Sequence, residues 1–344
     1  MKNLLRVIII IIIMIAKQLL PIEPIPLENL SRPSMFLVKH ERIYILEVAT
    51  VYIFSLKNLK LIKKFGKAGE GPGEFKYVRD GKPLSMSFHK DKLLVNSEMR
   101  TTYFDLDGNY IRETKTKIDK IIFPISNKYI GIGPTLDKNK KIYLGFSLYN
   151  NDFNLEKILF ISDFEMGNPK EMLLPITNFT YNPVYKKNIF IIPRTKEFRI
   201  DVYDKEGNQK YIIKKQYPKI KISKNYKIEA LGFFKKSPRF KDAYFFFKKI
   251  LKIRNYFPPI RDIQLSEDFI YVITFKRKGN LWECIKMDLK GNEKGRIFLP
   301  LNRYEHLSLY PLLYSVYNKK IYSLVEDEED EIWKIHISNF QKTY

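Results

Sequence analysis

The residues best suited to chemistry lie in one stretch, Lys64 to Phe75, which reads KFGKAGEGPGEF. Gly66, Gly69, Gly71 and Gly73 let the backbone take conformations closed to other residues. Pro72 fixes one φ and removes a donor between two of them. Glu74 sets a carboxylate beside free backbone N–H groups, and Phe75 offers an apolar anchor at the exit. A glycine-rich loop of this kind can cradle phosphate, but that chemistry needs a Lys-Ser/Thr end and a following helix. Neither is present. Gly66, Gly69, Gly71, Pro72, Gly73, Glu74 and Phe75 therefore read as a structural loop that leaves one sheet and enters the next.

Other reactive side chains do not converge. The four histidines, His40, His89, His306 and His336, share no metal-binding spacing, and HExxH is absent. His40 and His89 read as turn residues. The single cysteine, Cys284, is flanked by Trp282 and Ile285 and reads as a buried strand thiol. The acidic run Glu326–Glu331, EDEEDE, lacks the alternating pattern of a calcium loop and reads as a solvated hairpin. No nucleophile elbow is visible.

The elements that would position these residues are short strands in groups of four. Met35–Val38, Ile43–Glu47, Val51–Leu56 and Leu61–Phe65 form the first group, and the glycine loop closes it. Three later groups end in D/E/K-Gly-Asn hairpins: Asp107-Gly108-Asn109, Glu206-Gly207-Asn208 and Lys290-Gly291-Asn292. The pattern recurs six times with a period of roughly 45 residues, the size of a four-stranded propeller blade. It predicts an all-β, six-bladed β-propeller of four-stranded antiparallel blades over residues 34–344. A β-sandwich is the alternative, but it does not account for the four-strand period. The last blade lacks a fourth strand, and Leu27–Leu30 or Met35–Val38 is expected to supply it.

One segment breaks the pattern. In Lys224–Pro259 the residues Phe240, Tyr244, Phe247 and Leu251 follow helical spacing, which predicts a helical insertion. Its plain reading is a helix packed on the blades. Its sharper reading is a basic, aromatic helix on an anionic membrane surface.

A GxGPGEF segment after a strand ending in KKFG resembles the bacterial six-bladed β-propeller family related to NHL repeats. The resemblance covers Met35 to the C-terminus, with GEGPGEF its most specific part. It implies a propeller exported to the cell envelope. Six-bladed propellers of another kind, calcium-dependent lactonases and esterases, set carboxylates and amides around the central channel. The matching places here hold Glu47, Asn96, Glu98 and Arg194, a sparse and mixed set for calcium.

The first 20 residues fit export. Lys2 and Arg6 precede the apolar run Val7–Ala16, a signal peptide or a retained membrane anchor. Residues 21–33, with Pro21, Pro24 and Pro26, read as an extended linker. The formal net charge is +23, but lysine is spread along the chain instead of gathered on one footprint, which argues against nucleic acid.

The expected function is a non-catalytic binding or scaffold propeller of the cell envelope that holds a protein, peptide or glycan. It is periplasmic or envelope-associated, with membrane association through the N-terminal segment, and needs no cofactor. The alternative is a lactonase-, esterase- or lyase-like propeller enzyme that uses calcium.

Overall fold

Hairpin turns decide the architecture, and the three Gly-Asn turns share one device. In the computed structural model, Asp105 Oδ1 accepts hydrogen bonds from the N–H groups of Asp107 and Asn109 at 2.9 and 2.8 Å. Asp204 and Asp288 do the same for Glu206 and Asn208, and for Lys290 and Asn292. The aspartate thus satisfies the turn's backbone donors without another strand. Partial desolvation pushes the Asp288 carboxyl up, but Asn292, Lys294 and the backbone N–H groups outweigh it and hold it at about 2. The glycine of each turn has positive φ: +73° at Gly108, +76° at Gly207 and +92° at Gly291.

The structure describes residues 24–27, 30–76, 84–116, 118, 120–165, 172–174, 182–193, 196–236, 242, 244–302, 312–327 and 329–340. Six four-stranded antiparallel sheets form the blades of a propeller. Blade 1 spans Pro33–Phe65, blade 2 Ser85–Lys115, blade 3 Ile121–Glu165, blade 4 Val184–Lys215 and blade 5 Ile260–Pro300. In each, the strands pair in chain order. The first strands of neighbouring blades lie against one another around the axis, as Pro33–Lys39 does with Ser85–His89 and with Tyr314–Tyr317. Blade 6 has three strands from the C-terminal end, Tyr314–Tyr317, Lys320–Asp327 and Ile332–Asn339.

The fourth strand of blade 6 comes from the other end of the chain. Ile25–Leu27 pairs with Ile332–Asn339, Leu27 opposite Trp333. Neither expected segment fills this place: Met35–Val38 belongs to the first strand of blade 1, and the closing strand ends at Leu27. Residues 21–33 are accordingly not all linker. Pro24 and Pro26 flank and enter a strand at the sheet edge, where a missing donor costs no ladder bond. Leu27 is buried beside Trp333 and Ile335, and Trp333 Nε1 donates to the Ser31 carbonyl at 3.3 Å.

The helical insertion contains two helices, not one. Helix α1 is Lys224–Lys236 and helix α2 is Tyr244–Ile250. Leu251, expected in the helical stripe, starts the strand Leu251–Ile253, which pairs in parallel with Met172–Leu174. Phe240 lies outside the described residues. Helix α1 starts at a cap: Ser223 Oγ accepts from the Tyr226 N–H at 3.0 Å. Its Tyr226, Ala230 and Phe234 form a buried cluster with Tyr244, Leu251, Ile253 and Phe257. Aromatic contacts carry this cluster into blade 5. Tyr226 meets Phe257 edge-on at 5.0 Å, and Phe257 stacks on Phe275 at 4.6 Å.

Among the described residues, apolar clusters fill the interfaces of blades 6 and 1, 1 and 2, 3 and 4, 4 and 5, and 5 and 6. None spans blades 2 and 3. Blade 2 turns Ser85, Asn96 and Thr101 towards blade 3, opposite one another across its strands. The facing side of blade 3 carries Gly131 opposite Ser147 and Gly133 opposite Gly145.

Candidate functional site

Topology gives the propeller two ends. In an up-and-down sheet the connections between blades share one end with the turns that join second and third strands. The remaining turns share the other end. The glycine loop, the helical insertion and the acidic hairpin all fall on the first, connection end.

The glycine loop is tied to itself. Glu74 Oε2 accepts from the Gly71 N–H at 2.9 Å, and Glu74 Oε1 meets Lys67 Nζ at 3.0 Å. The Gly71 N–H, then Lys67, hold the Glu74 carboxyl below its ordinary range. Gly69 donates to the Phe75 carbonyl and Phe75 to the Lys67 carbonyl, at 3.0 and 2.9 Å. Gly66 has φ +81°, and a Cβ there would lie 2.3 Å from the Phe75 ring. Phe75 itself is fully buried in the cluster between blades 1 and 2. Gly73, at φ +75°, lies beside Tyr110 and Phe104. The carboxylate that faces the loop's donors is thus the loop's own, with Pro72 at the tip between Gly71 and Gly73.

The side chains considered for a central metal are engaged elsewhere. Glu47 Oε1 accepts from the Ser31 N–H at 2.7 Å and from Arg32. Asn96 donates to the Ile122 carbonyl and accepts from Thr101. Glu98 pairs with Lys76 at 3.6 Å. Arg194 and His306 lie outside the described residues. Among the described residues, no group of three or more His, Cys, Asp or Glu is placed to hold a metal ion. In the acidic hairpin, Asp327 and Asp330 share Lys334 Nζ at 2.6 and 3.2 Å. Cys284 is fully buried, and burial pushes its thiol up.

No motif announces the buried charged side chains of blade 5. Arg261 occupies an irregularity of the first strand and stacks on Trp282 at 3.8 Å. Burial pushes the neighbouring Asp262 carboxyl up to about 7, against the Tyr314 hydroxyl, the Ile263 N–H and Arg261. Glu283, wholly enclosed, takes Arg296 at 2.8 Å and the Thr274 hydroxyl at 2.9 Å. The register break between Ile260 and Asp262 sets Arg261 inward beside Trp282, and no spacing rule announces such a break.

At the connection end the helical insertion leaves a large apolar face uncovered. Ile228 is 68% exposed, Phe245 77% and Phe246 52%. Lys224, Lys235, Lys236, Lys248 and Lys249 are exposed on the same two helices. Among the described residues, no helix is long and apolar enough to cross a membrane.

At the opposite end a cavity of about 540 Å³ opens beside the axis. The first strands and following turns of blades 2, 3 and 4 line it. His89, expected in a turn, is the last residue of the strand Ser85–His89 and lines this cavity. His40 is in its turn and meets Asp91 at 3.5 Å.

Six closed sheets with chain ends joined in one blade leave a single architecture, and sequence comparison agrees. A family model described as "6-bladed beta-propeller" (DUF5128) matches residues 16–190, just over half of the chain. The chain belongs to this family. No curated protein matches it in sequence. Solved structures of similar form include BamB from Moraxella catarrhalis, 8% identical, TM-score 0.34, covering 87% of this chain and 70% of that one. The WD40 domain of Neurospora crassa Pan2 is 10% identical, TM-score 0.41, covering 90% of this chain and 76% of that one. U3-55K is 10% identical, TM-score 0.44, covering 89% and 78%. Likeness at this distance goes no further than blades around an axis.

Proposed function

We propose that this propeller is a non-catalytic binding module of the cell envelope whose connection end docks a protein partner. The helical insertion carries the reading. Its inner face, Tyr226, Ala230 and Phe234, is buried against Phe257 and the blades. Its outer face presents Ile228, Phe245 and Phe246 to solvent. Exposed aromatic groups at the centre of a patch are the usual anchors of protein interfaces. The surrounding lysines select a partner whose rim is acidic. The apolar run Val7–Ala16 with its basic flank supports an envelope address.

Site-specific photo-crosslinking in intact cells tests this. A crosslinker replaces Phe246 and, as control, the exposed Lys57 in a turn at the opposite end. One discrete protein adduct at position 246, absent at 57 and lost when Lys248 and Lys249 become Glu, supports the reading. Lipid adducts alone, or the same adducts from both positions, overturn it.

A further inference from the structure

The cavity between blades 2, 3 and 4 lies at one end of the interface that lacks an apolar cluster. Its composition is divided. Phe123 and Ile125 are buried and apolar. Ser87, on the first strand of blade 2, is only 3% exposed. Its Oγ has no hydrogen-bond partner among the described residues. A buried hydroxyl without a partner costs about 1–3 kcal/mol, so the site is more favourable with a polar group opposite it. Ser85, two residues earlier on the same face, is in the same condition.

The rim is cationic. Lys90, Lys186 and Lys187 line the cavity, and no Asp or Glu does. Lys186 is paired with Asp268 at 2.5 Å. Lys90 and Lys187 make no ion pair among the described residues. Burial, followed by Lys90, Lys92 and Lys39, pushes the His89 imidazole below its ordinary value, and the nearby Asp91 faces His40 at 3.5 Å. Asn182 lines the same rim, with its side-chain oxygen facing the Val184 N–H at 3.3 Å. The volume falls within the roughly 300–1,000 Å³ of small-molecule sites.

We propose that this cavity is a binding site for a small organic oxyanion, with the apolar body against Phe123 and Ile125 and the anionic head between Ser87, Lys90 and Lys187. A carboxylate and a phosphate monoester share the required chemistry: acceptor oxygens for a hydroxyl and two ammonium groups. The site is independent of the helical insertion and of any protein partner there.

Isothermal titration of the full chain with hexanoate, hexyl phosphate, hexanol and inorganic phosphate reads each part. The expected result is one site for hexanoate or hexyl phosphate, at least tenfold tighter than hexanol and tenfold tighter than inorganic phosphate. Whichever of the first two binds more tightly identifies the head group. Ser87→Ala is expected to weaken binding several-fold. The double change Lys90→Glu, Lys187→Glu, at exposed positions that leave folding intact, is expected to remove it, whereas Lys57→Glu changes nothing. Equal affinity for hexanol, equal affinity for inorganic phosphate, full binding by the double variant, or no binding at millimolar concentration overturns the proposal.

Discussion

Gly108 shows how one residue can meet two demands. Its φ of +73° is the left-handed region, and a Cβ would lie 2.6 Å from the Phe65 ring of the preceding blade. Gly207 and Gly291 press in the same way on Leu159 and Ile213. The Gly-Asn turns were legible in the sequence because hairpins demand them. Their second role, letting one blade's turn tuck against its neighbour, was not, because it depends on residues of the preceding blade far away in sequence. Gly279 separates the demands: its φ is +60° and nothing lies within 4 Å of its Cβ position. Gly279→Ala is expected to cost about 1 kcal/mol for backbone alone, and Gly108→Ala about 2–4 kcal/mol, since overpacking adds to it. Denaturant unfolding of the two variants measures the difference.

Asp262 gives a second test at this scale. Burial pushes its carboxyl up to about 7 in the fold, from an ordinary 3.8 when unfolded. Between these values the folded chain holds a proton that the unfolded chain has lost. Stability from this group therefore falls as pH rises from about 4 to 7, then levels. Asp262→Asn keeps the size of the side chain and has no proton to lose. The variant is expected to melt at a higher temperature than the parent at pH 8 and to match it more closely at pH 4. Melting curves across that range check the sign.

At the scale of elements, strands were more legible than helices. Short apolar runs marked most blade strands, because each has two faces buried between neighbours and turns at both ends. Helix α1 falls inside the expected helical insertion but off its stripe: its buried residues are only Tyr226, Ala230 and Phe234, and Gly232 interrupts its sequence. The available signal was Ser223, which caps its first turn. The closing strand was placed a few residues too late for a related reason. Ile25–Leu27 is three residues long, contains a proline, and has no hairpin partner in sequence to announce it. Its contribution is out of proportion to its length. Removing residues through Leu27 uncovers Trp333 and Ile335 and leaves Ile332–Asn339 as an open edge, which invites pairing with another chain. Burying a leucine alone contributes about 1.5–3 kcal/mol. The truncated protein is expected to unfold at lower denaturant and to self-associate, read by equilibrium unfolding and by light scattering. Unchanged unfolding with a monomeric mass would show that blade 6 closes without this strand.

Across the whole molecule, charge and packing tell different stories. Most ion pairs are at the surface, such as Lys186–Asp268 with both side chains more than half exposed, and such pairs contribute little. Apolar clusters between blades hold the ring, which makes the interface of blades 2 and 3 its exception. There, Asn96 reaches the Ile122 carbonyl at 3.3 Å, and Lys120 lies across blade 3 to Thr135 and Ser147. The glycines of blade 3 leave room only for side chains already in place: a Cβ at Gly145 would lie 2.6 Å from Thr135 Oγ1. Short apolar runs predicted that these strands exist, but not that one face of two adjacent blades would be polar together, since pairing of faces is a property of the closed ring. An interface selected for stability alone would not bury hydroxyls without partners. Ser85→Ala removes such a hydroxyl, 1% exposed, and is expected to stabilise the protein by about 1 kcal/mol. Ser87→Ala is expected to do the same while weakening oxyanion binding, so that the two serines separate. A gain in stability from both with a loss of binding from Ser87→Ala alone would show that the polar seam is kept for the ligand. Destabilisation by either change, measured by denaturant unfolding without ligand, would mean that its hydroxyl is already satisfied in the folded protein.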